Sequence, residues 1–287
     1  MSELTNIRVP TPSNPSNLAP RYEIRKLKPV HLPWATAILA HSHGFHSNVW
    51  QKIWPDRDLG RWVVENSLNF EYLVRHQIDS GLSFGVFDTE YVFKTDAARA
   101  TGGALLWDAD EQATQSVEKT QGRAAEAKRL LDQMDFPLVS IILSYDGFKP
   151  LDPEKMKPLL AAWPEFPILY GVLEKRDQRD PASWKATAPR QVLMRNATST
   201  RGDYEGRGIM GAAARWLQRE AALMGFRGIQ IEAMADRVIR VWTEGVQKPF
   251  KGTVVSEFEC QTLEVDGEKP FGAARQRVVK AWVDLTA

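Results

Sequence analysis

Apolar and polar positions alternate in the first ordered stretch, "YEIRKL" from Tyr22, which predicts a strand. "PVHLPWATAILAHS" then predicts a short helix. Over "LGRWVVENSLNFEYLVRHQIDSG" the apolar residues Trp62, Val63, Leu68, Tyr72, Leu73 and Ile78 recur at near-helical spacing, predicting a second helix that Gly81 closes. The pattern changes at "LSFGVFD" and "TGGALLWD", which read as strands joined by the polar connection "TEYVFKTDAARA". Residues 108–135 are polar, with only a weak helical pattern in "SVEKTQGRAAEAKRLLDQM", and read as a mobile surface insertion. "FPLVSIILSYDGF" is a further strand, and "DPEKMKPLLAAW" and "ILYGVLEKRD" are short helices.

The clearest organisation lies nearer the C-terminus. "RQVLMRNATST" predicts a strand, and "IMGAAARWLQREAALM" predicts a helix. Met210, Ala214, Leu217, Ala221 and Met224 share one face of that helix, Arg215, Gln218 and Arg219 another, and Gly225 stops it. "GIQIEAM" is the next strand, "DRVIRVW" a short helix and "TVVSEFECQTLEV" a strand. No internal repeat is visible. Between the first strand and helix of this unit lies "YEGRGIMG", with Gly206, Gly208 and Gly211 in a G-x-G-x-x-G spacing. Glycines so placed let a backbone turn tightly and bring its N–H groups close to a phosphate. A dinucleotide site, a coenzyme A site and a plain turn are all open at this point.

A dinucleotide fingerprint would use Glu232, about 20 residues beyond the last glycine, as the ribose-binding acid. That fingerprint starts directly at the strand end, whereas "STRGDYE" intervenes here, and the motif comes late for the strands still needed. A plain turn would bind nothing. A helix N-terminus flanked by Arg201 and Arg207 favours an anion.

Composition narrows the classes. With 43% hydrophobic and 25% charged residues, ten Trp and twelve Phe, the 287-residue chain reads as globular with ample core material. A formal net charge of +1, without a Lys/Arg run, gives no reason to expect nucleic acid. The single cysteine, Cys260, rules out an intrachain disulfide and any multi-cysteine metal site. No apolar run approaches about 18 residues and the start lacks a signal-peptide centre, so the expectation is a cytoplasmic protein with no membrane contact. "MSELTNIRVPTPSNPSNLAP" reads as a flexible tail over residues 1–20.

The order of elements, with the loop "DYEGRGIMGAAARWL", resembles the GNAT N-acetyltransferase family. The loop is similar to that family's acetyl-CoA pyrophosphate loop, R/Q-x-x-G-x-G/A. Gly208 falls on the first loop glycine, Glu205 where Arg or Gln is usual and Met210 where Gly or Ala is usual. The opening "YEIRKLKPVHLPWATAILAHS" also looks like the family's first strand and helix. The resemblance implies an α/β fold with a mixed, twisted sheet flanked by helices, as one domain over residues 21–287 with a large insertion at about 108–188. It implies acetyl transfer from acetyl-CoA, as co-substrate and without a metal, to an amine acceptor by direct attack. Gly206, Arg207, Gly208, Ile209, Met210 and Gly211 would hold the pyrophosphate, Arg201 would add positive charge, and Ser199 and Thr200 would bond the pantetheine arm.

The resemblance leaves the proton chemistry unassigned. Trp242 stands where the family often has a Tyr, Ala235 where it has an Asn, and indole is no general acid. Glu232 is the base expected by position, with His43 or His46 as the other candidates because histidine titrates near neutrality. A non-catalytic acyl-CoA-binding or interaction protein on the same fold is the second expectation, and a nicotinamide oxidoreductase the third. Oligomeric state is open, a homodimer included.

Two further motifs bear on chemistry. "GLSFG" at Gly81–Gly85 matches a nucleophile elbow, but a helix precedes it, a strand follows it, and all five histidines come before Ser83, so it reads as chance. "HSHGFH" gathers His41, His43 and His46 in what reads as a loop. It lacks the spacing of a helical zinc pair and predicts no structural metal. In the GNAT reading these histidines, with Phe45 and Trp50, border the acceptor pocket.

Overall fold

A computed structural model describes residues 9–110 and 117–286. The predicted tail therefore lies partly outside the described residues. From Val9 to Pro20 it carries an isolated bridge between Thr11 and Asn14, and Asn14 and Ser16 are buried. Residues 111–116 of the polar segment also lie outside.

Nine strands are described: β1 (Tyr22–Lys26), β2 (Phe84–Asp88), β3 (Ala104–Leu105), β4 (Met134–Asp135), β5 (Leu138–Asp146), β6 (Val192–Thr200), β7 (Gly228–Ala233), β8 (Lys251–Glu259) and β9 (Arg277–Asp284). Seven form one mixed sheet in the order β1-β2-β5-β6-β7-β9-β8, and β3 pairs with β4 separately. The longer helices are α1 (Leu32–His46), α2 (Leu59–Ser67), α3 (Glu71–Asp79), α4 (Arg123–Asp132), α5 (Pro153–Ala162), α6 (Glu165–Arg176), α7 (Ile209–Leu223) and α8 (Asp236–Trp242). No helix among the described residues is long and apolar enough to cross a membrane.

The chain divides into two compact units, Met1–His46 with Asp56–Leu143 and Ala197–Ala213, and Ser47–Pro55 with Ser144–Asn196 and Ala214–Ala287. In the first, β1 and β2 pair antiparallel with Ile24 opposite Val86, both fully buried. Helix α1 runs on through "HSHGFH", so the loop expected there is helix. Gly44 explains this: a Cβ there would lie 2.3 Å from Val63 Cγ2, so the glycine that costs helix propensity permits the close approach of α2. The long helix expected after Asp58 is cut into α2, a 3₁₀ turn at Leu68–Phe70, and α3. There Asn66 Nδ2 donates to Trp62 O and Ser67 Oγ to Val64 O, side-chain bonds that compete with regular helix.

The strand expected at "TGGALLWD" shrinks to β3, and the connection before it holds a short helix, Asp96–Thr101, capped by Thr95 Oγ1 and closed by Gly102 at φ 78°. Of the segment 108–188 read as inserted, Leu138–Asp146 is β5, between β2 and β6 in the sheet.

In the second unit β7, β9 and β8 form an antiparallel ladder, and β6 joins β7 in parallel from Val192 to Arg195. Strand β9, which the periodicity reading left unassigned, is the middle of that ladder. Its core beside α5 and α6 is aromatic: Trp50, Trp54, Trp163, Phe166 and Phe271 have ring centroids 4.9 to 6.4 Å apart.

Candidate functional site

Strand β6 ends at Thr200, a 3₁₀ turn covers Gly202–Tyr204, and α7 begins at Ile209. Gly206 and Gly208 have φ of 77° and 73°, in the left-handed region that side chains disfavour. A Cβ at either position would meet no heavy atom within 4 Å. The backbone angle requires these glycines, not crowding by the protein, and the space over them is open. Ala212 N–H is bonded back to Gly208 O at 3.1 Å, whereas Ile209, Met210 and Gly211 have no carbonyl one turn earlier in the helix. Open space over two left-handed glycines, with first-turn donors that have no backbone partner among the described residues at the positive end of a 15-residue helix, suits an anion.

Arg201 is engaged within the chain. Its side chain is fully buried. Nε and Nη2 grip Asp203 at 3.1 and 2.9 Å, Nη1 donates to Phe136 O at 2.9 Å, and the guanidinium packs near the Tyr91, Phe136 and Tyr204 rings. It anchors the start of the loop through these bonds. Arg207 is exposed and lies 4.6 Å from the Tyr204 ring centroid, with Nη2 donating to Asp203 O, so it is the cation placed on the loop itself.

Tyr204 in turn donates to the buried Asp88 at 2.7 Å, and Asp88 receives a two-pronged bond from Arg21. Burial alone would raise the Asp88 carboxyl. The hydrogen bonds from Arg21, Tyr204 and the Glu90 N–H outweigh it and hold the group below the usual carboxylate range. A carboxyl depressed in the folded state stabilises the fold above its unfolded pKa, and that contribution is lost as pH falls through the folded value. In urea unfolding, wild-type stability should therefore fall more steeply than that of Asp88→Asn below about pH 4. At pH 7 the variant should be the less stable. Parallel acid limbs would contradict this.

Ser199 is buried and Thr200 half-buried at the end of β6. Ser140 Oγ on β5 lies 3.1 Å from Ser199 O and 2.9 Å from Thr200 Oγ1. The β6–β7 ladder ends at the pair Arg195–Ile231, and Ala197 follows with φ 66°, a left-handed non-glycine residue inside a strand. Ser199 and Thr200 thus sit on the stretch of β6 beyond its pairing with β7.

His43 and His46, the other candidate bases, both lie on α1. Burial pushes His43 down to about 4, and its ring stacks on Phe70 at 6.0 Å, so it is a poor proton acceptor near neutrality. His46 packs under the loop: a Cβ on Gly202 would lie 2.9 Å from its Nε2. His41 is buried with Nε2 2.8 Å from Ala127 O.

Glu232 lies in the second unit, on β7. Burial raises its carboxyl, opposed by Lys280 and by the Gln230 amide, whose Nε2 donates to Glu232 Oε1 at 3.2 Å. A raised carboxyl is suited to exchanging protons nearer neutrality. Trp242 is fully buried against the Arg195 guanidinium at 5.6 Å, a packing role. Ala235 caps α8 through its carbonyl, which accepts from Val238 and Ile239. The residues overlooked from sequence are Gln230 and Tyr170, whose phenol feels the charge of Glu232. Two polar residues at i and i+2 in the apolar run "GIQIEA" were the available signal.

No family model matches the chain, and no curated protein matches its sequence. Solved structures do. The chain is similar to the C-terminal condensation domain of Ebony in complex with beta-alanyl-dopamine, with a TM-score of 0.57 and 15% identity over 91% of this chain and 98% of that one. It is similar to arylalkylamine N-acetyltransferase 2 from Aedes aegypti, with a TM-score of 0.55 and 10% identity over 92% and 99%. A mutant agmatine N-acetyltransferase gives 0.52 and 10% over 92% and 98%. A mixed sheet with mostly antiparallel neighbours is also not the parallel sheet that a dinucleotide fingerprint opens. The chain has the GNAT-like fold that its glycine loop and order of elements implied.

Proposed function

We propose that the chain is an N-acetyltransferase that uses acetyl-CoA as co-substrate and an amine as acceptor. The observation that carries this reading is the left-handed glycine loop at the N-terminus of α7, open on its outer side, on a GNAT-like fold. The N–H groups of Arg207 to Gly211 would hold the diphosphate, with Arg207 adding charge, and Ser199 and Thr200 would face the pantetheine arm. Such a loop is also compatible with Met210, which is half-buried and contributes only its backbone N–H.

In the reaction the acceptor ammonium gives a proton to a base, assigned here to Glu232. The amine nitrogen then bonds to the acetyl carbonyl carbon, the carbon–sulfur bond breaks, and the thiolate takes up a proton. A second reading, acyl-CoA binding without catalysis, is favoured by Trp242, a buried indole with no acid to offer.

Thermal shift tests the proposal. A ligand that binds only the folded state stabilises it by about 2.7 kcal/mol at one hundred times its Kd. Acetyl-CoA should raise the Tm by several degrees and NADH should not, and radiolabelled acetyl groups should pass to an amine. Stabilisation by NADH alone would sink the reading, and acetyl-CoA binding without transfer would select the non-catalytic one.

A further inference from the structure

We propose that Arg215, Gln218 and Arg219 on α7 form a second anion site, distinct from the glycine loop, that takes a phosphate monoester in its dianionic form. All three residues belong to the second compact unit, and the site stands whether or not the chain transfers acetyl groups.

Arg215 has Gln218 three residues on and Arg219 four residues on, so it neighbours both on the helix surface, with Cβ atoms about 5–6 Å apart. Trp216, Leu217 and Ala221 on the other flanks of the helix are buried core. Gln218 is only 1% exposed, and its Nε2 makes no hydrogen bond among the described residues. Arg215 Nε is likewise buried without a hydrogen-bond partner, and among the described residues Arg215 has no ion pair. A buried donor left without an acceptor is costly, more so on a charged group, and a ligand that brings acceptors removes that cost.

The charges point the same way. Arg219 Nη1 donates to Gln247 Oε1 at 3.3 Å, a neutral acceptor on the connection between α8 and β8. Burial disfavours the Arg219 charge, and the charged neighbour acting on it is Arg215, of like sign. Two guanidiniums one turn apart in partial burial repel each other, and an anion between them reverses the sign of that interaction. Glu220, the next carboxylate along the helix, lies on its buried side, about 140° round the axis from Arg215. One carboxylate ligand would balance one guanidinium, whereas a phosphate monoester dianion balances both. Its terminal oxygens also give each arginine fork and the Gln218 amide an acceptor. The 3′-phosphate of CoA and a free phosphate monoester carry this same chemistry.

Calorimetric titration of the full chain with inorganic phosphate, acetate, CoA and dephospho-CoA tests this, at fixed ionic strength and about pH 7.5, where phosphate is mostly dianionic. Wild type should bind phosphate at least about ten-fold tighter than acetate. Arg215→Gln and Arg219→Gln should each weaken phosphate binding at least about five-fold, and Gln218→Met at least about two-fold. Gly208→Asn, a control for the glycine loop, and Arg99→Gln, which removes an exposed charge far along the sequence, should leave this affinity unchanged. Circular dichroism checks that each variant is folded. Wild-type phosphate affinity in any of the three folded site variants would overturn the site as assigned. Acetate binding as tightly as phosphate would overturn the ligand class, and an equal loss in Arg99→Gln would show a diffuse charge effect in place of a site. An affinity gap between CoA and dephospho-CoA that closes in Arg215→Gln identifies the phosphate as that of CoA. CoA and dephospho-CoA binding alike, with phosphate still dependent on Arg215, identifies a free monoester. A chain that binds phosphate here and no CoA at all keeps the site and refutes the acetyl-CoA reading.

Discussion

Gly208→Asn should leave the chain folded and lower its acetyl-CoA affinity at least about thirty-fold, which is roughly 2 kcal/mol. Two effects have to be separated at this position. The first is conformational: φ is 73°, where a β-branched side chain is strained, so Gly208→Val would cost stability by about 1 kcal/mol or more whether or not anything binds. Asn tolerates the left-handed region far better, so it carries little of that cost. The second is occupancy. A Cβ at this position meets nothing within 4 Å, so the folded chain has room for the Asn side chain, and that room is where a diphosphate would approach the N–H groups. Unchanged unfolding with lost binding is therefore the signature of a ligand cradle. Arg207→Ala should cost less, about five-fold, because an exposed charge is screened by solvent while several oriented N–H donors remain. Gly208→Asn with wild-type affinity would move the diphosphate site elsewhere.

The second large effect is on stability, where one substitution made at two glycines should change sign. Gly228→Ala should lower the Tm by several degrees, whereas Gly171→Ala should leave it unchanged or raise it. At Gly228, the first residue of β7, a Cβ would lie 2.0 Å from Trp282 Cζ2 and 2.4 Å from its Cη2. The Trp282 indole lies across the glycine, and moving it disturbs the β7–β9 ladder in which Gln230 is paired with Trp282. Forcing extra volume into such packing costs typically about 1–3 kcal/mol, and each kcal/mol is about 2–4 °C in a chain of this size class. Gly171 is exposed within α6, a Cβ there meets nothing within 4 Å, and alanine is the better helix former by about 1 kcal/mol. Equal effects at the two positions would show that contact with Trp282 does not decide the outcome.

How far the residues disclosed the site depends on whether its parts are close in sequence. From Val192 to Ala233 the strand, the glycine loop, the helix and the next strand follow one another, and each is set by local pattern or by a backbone angle that only glycine adopts readily. These were legible, as were β1 and β2. What failed depends on distant partners. Arg201 reads as a loop cation, and only the fold shows its guanidinium bonded to Phe136 and Asp203. "HSHGFH" reads as a loop because Gly44 weakens a helix, yet Val63, distant in sequence, rewards the missing Cβ. Strand β9 escaped because Lys280 breaks its apolar run, and the ion pair with Asp177 that lets a lysine be buried there is invisible locally. Gln230 and Glu232 were legible as residues. Their pairing with a committed Lys280 was not.

The proposed role of the loop from Gly206 to Gly211 is to hold the diphosphate of acetyl-CoA. A crystal structure of the chain with CoA tests it most directly. Diphosphate oxygens are expected within hydrogen-bonding distance of the N–H groups between Arg207 and Gly211, above Gly208, with Arg201 still closed on Asp203. CoA bound elsewhere on the chain, or a diphosphate contacted by Arg201 and not by the loop N–H groups, would contradict it.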